Sequence, residues 1–384
     1  MIDPDKLRQK IEPLFLDNFE SLGDLGAAVS IWHEGEEVLS LFGGYKDARR
    51  ENPWTNDTIV LVWSVTKGLG SACLLHLLER LKISLNRRVA EFWPEFAHAG
   101  KEAVTIGQLL SHRAGLAAID EKVSIFDRNG VVAALAKQEP LWPPDSAHGY
   151  HARTFGFLID ELIRRIDGRP IEQYWRDALA IPLQLDIWLA LPTEENHRVA
   201  TMYAPKAAKD PPEPAEFYRA LSQPGTIAHR AFSCPEGLPS VAAMNTPEVR
   251  AFANAAFSGI GSAAAVAKFY GMLAHGGRLD GQTFFGAESL HSMRQTLSDG
   301  VDRVFGIPSA FSAGFMKDSK SAGKRLFGPS ASAFGHPGAG GSHAFADPET
   351  NLSFAYVMNQ MVASLFPNER AFRLVDALYA ETDS

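Results

Sequence analysis

Cysteine is nearly missing from this chain: Cys73 and Cys234 are two residues among 384. Two cysteines cannot build a disulfide framework, and neither has metal-ligand spacing. Cys73 lies inside an apolar helical pattern and Cys234 directly before Pro235, so both read as reduced structural residues of a cytoplasmic protein. The N-terminus, Met1-Ile2-Asp3-Pro4-Asp5-Lys6, has neither the cationic start nor the apolar stretch of a secretory signal. No apolar run approaches the ~18–20 residues of a membrane span. Positive charge is also short, with 37 Lys and Arg against 45 Asp and Glu for a net −8. That balance favours solubility and argues against nucleic acid or an anionic membrane as partner. The one basic cluster, Lys317, Lys320, Lys324 and Arg325, falls in a Ser/Gly stretch and is expected to be a solvated loop. Hydrophobic residues at 46% and charged residues at 21% exclude a disordered, collagenous or coiled-coil chain. At one domain per ~150 residues, the length suggests two or three domains or one large composite. A chain of this size buries ~75% of its unfolded surface and needs no staples.

What is present is a change of rhythm along the chain. An amphipathic segment, Leu7 to Phe19, precedes two β-rich runs, Ala27 to Trp32 and Glu37 to Phe42. They flank a polar turn containing Gly35 and read as a hairpin. The far end mirrors this: Ser342 to Ala346 and Leu352 to Met358 surround the turn Asp347 to Asn351. A helical pattern through Phe372, Val375 and Leu378 follows. Strands at both ends suggest that the termini complete one sheet, with the middle a mostly helical insertion. Val65, Leu69, Ala72, Cys73, Leu77 and Leu81 predict a largely buried helix over 65–81. Phe155, Leu158, Ile159, Leu162, Ile163 and Ile166 predict another, stopped at Asp167-Gly168, with Pro170 opening the next. Residues 203–246, rich in proline and small side chains without a sustained period, read as a long loop-like excursion of the kind that forms lids.

Chemistry concentrates at Ser64-Val65-Thr66-Lys67, where the β-like run Thr58 to Trp63 meets the buried helix. Positions i and i+3 share a face of a first helical turn, so the Lys67 amine can reach the Ser64 hydroxyl. A serine is a poor nucleophile until a base takes its proton. A lysine desolvated against a buried helix, near the positive helix N-terminus, is pushed toward its neutral, basic form. The same helix end favours negative charge developing on the serine oxygen. The pattern alone is weak, because Ser321-Ala322-Gly323-Lys324 repeats it in a polar stretch with no helix behind. A helix-capping serine followed by a snorkelling lysine is the bland alternative. Other chemistries find less support. There is no G-x-S-x-G elbow. His148 and His151 could be two metal ligands, yet no H-E-x-x-H or H-x-H-x-D pattern accompanies them. Gly259-x-Gly261-x-x-Ala264 opens a helical pattern, but no apolar β-run feeds it and no βαβ series surrounds it. No metal and no cofactor are expected, and His33 and His112 read as structural or surface residues.

Two further segments follow in order: Gly149-Tyr150-His151-Ala152, and Gly335-His336-Pro337-Gly338-Ala339-Gly340-Gly341-Ser342. With Ser64 to Lys67 they resemble the three motifs of the serine β-lactamase and penicillin-binding-protein superfamily: S-x-x-K, Y-x-N or S-x-N, and K-T-G. Gln108 to Leu116 looks like the family's L-L-S/T-H-T-S-G-L block, and Gly259 to Phe269 like its glycine-then-helix block. The likeness runs from about residue 25 to about residue 360. The departures choose the branch. Ala152 stands where the second motif usually has Asn, and His336-Pro337 where the third usually has Lys-Thr. In β-lactam-recognising members those positions hold the substrate's amide and carboxylate. Ala152 can do neither, Pro337 offers no hydroxyl or N–H, and His336 is largely neutral near pH 7. The chain therefore resembles the family VIII carboxylesterases, which are close to class C β-lactamases.

The resemblance implies an α/β fold of the serine β-lactamase type. An antiparallel sheet built from both termini with flanking helices would take 1–75 and 255–384, and a mostly helical region 76–254. It implies Ser64 as nucleophile toward a carboxylic ester with a short acyl group, and Lys67 and Tyr150 sharing general-base catalysis. The backbone N–H groups of Ser64 and Ala339 would form the oxyanion hole. His336, Gly338 and Ala152 would lie against substrate. A phenol beside an ammonium ionises more easily, which would suit Tyr150 to carry protons to the leaving alkoxide and from the deacylating water. Gly338 and Gly340 fit a strand whose backbone the substrate approaches. The expected partner is a small-molecule ester, with neither nucleic acid nor membrane, and the oligomeric state is not legible. Competing readings are a weak class C-like β-lactamase, a D-amino-acid amidase, an acyltransferase and a catalytically silent binding protein of the same fold.

Overall fold

The terminal hairpins form as expected in the computed structural model, which describes residues 2–206 and 213–382. Gly26–His33 and Glu36–Gly44 pair antiparallel across Glu34-Gly35, where φ is 53° and 87°. Glycine carries that left-handed turn without a Cβ penalty. His343–Asp347 pairs with Leu352–Met358 across Asn351, and Leu352–Met358 then lies against Gly26–His33. Ala27 faces Met358 and His33 faces Leu352, so the first and last strands meet and the two ends of the chain complete one sheet. The sheet runs on from His343–Asp347 through Phe334–Pro337, Met316–Lys317 and Pro308–Phe311 to Ser298–Val301, eight strands in all. Every neighbouring pair is antiparallel. The strands between residues 298 and 317 are two to four residues long, too short to declare a period of two in sequence. Lys317, expected to be solvated, is a buried member of one of them and donates to Ala331 O and Ala333 O at 3.1 and 2.6 Å. Lys320, Lys324 and Arg325 are exposed, as expected.

Helices cover the sheet. Pro4–Glu20, capped by the Asp3 carboxylate, packs on the C-terminal helix Glu369–Thr382. Ala263–Ala274, capped by Ser262, lies across the first and the last two strands. Behind this layer Thr66–Arg80 packs on Thr154–Asp167, which stops at Gly168 with φ 92° before Pro170 leads into Ile171–Trp175. The ends are also joined by charge. The buried Asp24 carboxylate lies 2.8 Å from the Arg370 guanidinium and accepts the Tyr356 hydroxyl.

Two expectations change. The β-like run Thr58 to Trp63 contributes only Val60–Leu61 as strand, in a small sheet with Ile260–Gly261 and Ile187–Trp188. Hydrogen bonds thus connect the residues expected on either side of a domain boundary. Residues 203–246 are no plain loop either: Ala215–Ser222 and Ile227–Ser233 are helices and Ala242–Asn245 a 3-10 turn. Each is about two turns or less, shorter than the window over which a helical period shows. Residues 207–212 of that segment lie outside the described residues. No helix among the described residues is long and apolar enough to cross a membrane.

Candidate active site

The Val60–Leu61 strand ends in a sharp reversal. Trp63 has φ 51°, a left-handed conformation that costs an L-residue roughly 1–2 kcal/mol, and Trp63–Val65 form one 3-10 turn leading into the Thr66–Arg80 helix. The turn is clamped from below. The Thr66 hydroxyl donates to Trp63 O and accepts from Gly259 N at 2.9 Å, while Val62 N donates to Gly259 O at 2.8 Å. A Cβ on Gly259 would lie 2.7 Å from Thr66 Oγ1, so glycine there permits the clamp. Ser64 stands half-buried on the crest, two residues ahead of the α-helix rather than in its first turn.

Lys67 is wholly buried beneath it. Its Nζ donates to Ala152 O at 3.0 Å and Ala256 O at 2.9 Å, and lies 4.5 Å from the centroid of the Tyr150 ring. Burial pushes its pKa well below the ordinary lysine value, because a charge stripped of water is costly. A neutral amine has two N–H groups, and the two carbonyls take both, leaving a lone pair as its remaining function. The group hydrogen-bonded to the Ser64 side chain is Tyr150. The tyrosine is buried as well. Burial drives its pKa up, the Ser64 bond opposes this, and the Asp302 carboxylate adds to it. This reverses the expectation of an easily ionised phenol: desolvation acts on both partners, lowering the pKa of the amine and raising that of the phenol.

What holds Tyr150 was invisible in the sequence. The fully buried Asp302 accepts through Oδ1 from Tyr150 N at 3.1 Å, Val304 N at 2.8 Å and Phe305 N at 3.0 Å. Its Oδ2 accepts the Ser309 hydroxyl at 2.9 Å. That hydroxyl has one hydrogen and gives it to Asp302, so it accepts from His148 Nε2, 3.0 Å away. His151 is fixed too: Nδ1 donates to Gly149 O at 2.7 Å and Nε2 accepts from Leu116 N at 2.9 Å. His148 Nε2 and both ring nitrogens of His151 are thus engaged within the protein. His112 is a buried structural residue, not a surface one. Its Nδ1 accepts from His151 N at 3.1 Å, and its ring packs on Tyr150, Phe155 and Phe311 with centroids 4.5 to 5.2 Å apart.

His336 lies on the Phe334–Pro337 strand opposite Ala344 and is 2% exposed. Its Nδ1 donates to Pro337 O at 2.8 Å, and its Nε2 has no partner among the described residues. Burial first, and the nearby Lys67 second, depress its pKa to about 3. Ala339 falls just past the strand, opening the short turn Ala339–Gly341, rather than on the strand itself. A Cβ on Gly338 would sit 2.4 Å from Val62 O, and one on Gly340, where φ is 83°, 2.5 Å from Met361 Cγ. These glycines make room for the protein's own atoms, and Gly340 also lines the cavity beside Ser64.

Two cavities meet at Ser64. One, of about 260 Å³, has Tyr150, His336, Phe217, Phe305, Met316 and Phe366 in its walls. The other, of about 190 Å³, has Trp63, Ala152, Leu238, Met244 and Phe257. Ser64, Phe232 and Ala339 belong to both. Phe217 and Phe232 come from the helices within 203–246, so that excursion roofs the serine. Arg153, three residues past Tyr150, ties the roof down by donating to Ser233 O, Pro235 O and Leu238 O at 3.2, 2.7 and 3.1 Å. A larger cavity of about 510 Å³, beside Trp93 and Arg164, contains none of these groups.

The profile of the family described as Beta-lactamase matches residues 15–378, and the chain belongs to that family. It is a serine hydrolase of the β-lactamase and penicillin-binding-protein fold. Esterase/beta-lactamase LipL of Mycobacterium tuberculosis is 30% identical over 354 residues, which cover 90% of this chain and 80% of LipL. The crystal structure of a penicillin-binding-protein homologue from Caulobacter crescentus superposes with a TM-score of 0.87 at 36% identity, over 99% of each chain. That of a family VIII carboxylesterase superposes with 0.86 at 34% identity, over 98% of this chain and 97% of the other.

The Asp302 network generates a test. Asp302→Ala strips the acceptor from three backbone N–H groups and a hydroxyl, and the Tyr150 segment shifts. A displacement of ~1 Å at a reacting group costs on the order of 10²-fold in rate. We expect kcat/KM for p-nitrophenyl acetate to fall by that order in Asp302→Ala, and by less in Asp302→Asn, which keeps one acceptor oxygen. Equal activities in Asp302→Ala and the parent, at equal folded fraction by circular dichroism, would remove Asp302 from the site.

Proposed function

We propose that the protein hydrolyses carboxylic esters of short acyl chain through an acyl-enzyme on Ser64. One observation carries the reading: Ser64, hydrogen-bonded to Tyr150 and three residues ahead of a desolvated Lys67, sits where two cavities join. An ester needs this layout, with its carbonyl at the serine and its two halves on either side. The neutral Lys67 amine takes the Ser64 proton as Oγ bonds to the carbonyl carbon, and the oxyanion faces the backbone N–H groups of Ser64 and Ala339. Tyr150 gives its hydroxyl proton to the departing alkoxide, and the Lys67 ammonium returns a proton to Tyr150. Water then attacks the acyl-enzyme, passing its proton to the same pair, and Ser64 leaves reprotonated. Because the alkoxide must meet Tyr150, the alcohol half occupies the 260 Å³ cavity and the acyl group the 190 Å³ one. The smaller volume is the reason for short acyl chains. The same reading divides the chain into a sheet domain, 1–75 and 255–384, and a helical domain, 76–254, with the site between them.

The departures from the β-lactam motifs support esters as substrates. Ala152 presents a methyl group to the acyl cavity, and His336 and Pro337 supply no fixed cation. The similarity to LipL, an esterase/beta-lactamase, and to a family VIII carboxylesterase supports the same reading.

Ser64→Ala is expected to abolish both turnover and covalent labelling by a fluorophosphonate, whereas Ser321→Ala keeps both; a labelled Ser64→Ala protein would overturn the assignment. In the parent, kcat/KM for p-nitrophenyl butyrate should exceed that for nitrocefin by at least ~10²-fold. Two lost hydrogen bonds to a charged group are worth ~1.5–3 kcal/mol each, and ~1.4 kcal/mol is tenfold in rate. Equal efficiencies would favour a β-lactamase instead.

A pH profile follows from Lys67. The active form has the amine unprotonated, so kcat/KM falls about tenfold per unit as pH drops through its lowered pKa and is level above it. The limb is expected well below the ordinary lysine value, and Lys67→Arg, protonated throughout, should lose activity at every pH. A limb near pH 10 would show that the amine is charged at rest and is not the base.

A further inference from the structure

His336 lines the cavity that already holds the reacting serine and tyrosine, and its buried Nε2 has no partner among the described residues. Buried polar atoms are nearly always hydrogen-bonded, so an orphan beside a binding cavity marks a place a ligand can complete. Its polarity is fixed by geometry. Nδ1 carries the ring hydrogen because it lies 2.8 Å from Pro337 O, which can only accept. Nε2 therefore has a lone pair and no hydrogen, and it can bind a donor but not another acceptor. The ring centroid is 5.8 Å from that of Tyr150, on the side where the alcohol half is placed.

The rest of that cavity sharpens the choice. Its walls include Phe217, Phe305, Met316 and Phe366, the hydroxyl-bearing Tyr218, and, among the described residues, no Lys, Arg, Asp or Glu side chain. The Ser364 hydroxyl is committed to Phe366 O at 2.6 Å. A carboxylate on the alcohol half would meet an imidazole lone pair, apolar rings and the neutral Tyr150 and Tyr218 hydroxyls, with no cation among the described residues of the wall to replace its water. A hydroxyl or an amide N–H would find one acceptor waiting.

From this placement we infer that His336 Nε2 accepts a hydrogen bond from the alcohol half of the substrate. His336 thereby selects esters whose alcohol carries an uncharged donor, such as a hydroxyl or amide N–H, over esters carrying a carboxylate there. The inference rests on the ester-hydrolase reading above. The depressed pKa of His336, about 3, agrees with it, since the ring stays an acceptor throughout the pH range of an ester assay. Sites built around a hydrogen bond to a substrate hydroxyl reject analogues that lack it, because their own polar group is then left unpaired.

The test uses the full chain and three butyrate esters of matched length: 3-hydroxypropyl butyrate, n-butyl butyrate and 3-(butyryloxy)propionate. In the parent, kcat/KM for the hydroxyl ester should exceed each of the others by at least about tenfold. In His336→Phe, which keeps a ring but no acceptor, the ratio of hydroxyl to butyl ester should fall by at least about tenfold, whatever the absolute rates. Should that variant not fold, competition in the parent decides: 1,3-propanediol must inhibit more strongly than 1-propanol. A hydroxyl ester no better than its butyl counterpart in the parent, or a ratio unchanged in His336→Phe, overturns the inference and leaves ester hydrolysis standing. Turnover of none of the three esters removes the ester reading itself.

Discussion

A lysine amine enclosed by protein, answered by two backbone carbonyls and pushed toward neutrality by burial alone, is the constraint around which this site is arranged. The carbonyls come from separate segments, Ala152 beside Tyr150 and Ala256 ahead of the Ile260–Gly261 strand. Both must dock closely on the helices that carry the site. Glycines make that possible: a Cβ on Gly70 would lie 2.6 Å from Ala255 Cβ, and one on Gly156 2.2 Å from Asn254 Oδ1. Removing water from Lys67 makes its proton expendable, since an ammonium there would lack the solvation it has outside. In the proposed mechanism, general-base strength is therefore a consequence of packing.

The same desolvation sets the tone of the whole pocket. It lowers His151 to about 4 and His336 to about 3, lowers His112 well below its usual range, and raises Tyr150. Around the serine the protein offers lone pairs, hydroxyls and aromatic walls, with the one buried carboxylate, Asp302, turned to the backbone behind Tyr150. Such a pocket suits uncharged substrates. In the proposed reading, a β-lactam brings a carboxylate for which His336 and Pro337 supply no fixed cation, while Arg153, the cation lining the second cavity, is engaged by three backbone carbonyls.

The architecture supplies the two sides of the cleft from distant parts of the chain. The sheet delivers His336 on its Phe334–Pro337 strand, and the small sheet and the Trp63 turn deliver Ser64. The roof comes from 203–246, tethered by Arg153 to the segment bearing Tyr150. Arg153 loses solvation in doing so, and burial lowers its pKa to about 10. It still satisfies three carbonyls that would otherwise lie above the site without a donor.

Some of this was legible from residue order alone. The β-rich runs Ala27 to Trp32 and Leu352 to Met358 announced strands at both ends, because β-branched and aromatic residues favour a pleated, packed surface. Leucines and alanines at helical spacing announced Thr66–Arg80 and Thr154–Asp167. Ser64, Lys67, Tyr150 and His336 stood out because each sits in a short motif whose members are neighbours in sequence. The short strands of 298–317 and the two helices of 215–233 left no signal, being briefer than the periods that would reveal them. Asp302 left none either, since it meets Tyr150 across 152 positions of chain, and Lys317 looked solvated until the sheet enclosed it. Sequence alone thus determined which residue types are available and which local elements carry them. The protonation states of Lys67, Tyr150 and His336, the free lone pair on His336 and the two cavities beside Ser64 were decided only by the tertiary structure. The physical reason is that desolvation and hydrogen-bond partners are set by atoms brought together from remote segments, as when Ala256 reaches Lys67 across 189 positions.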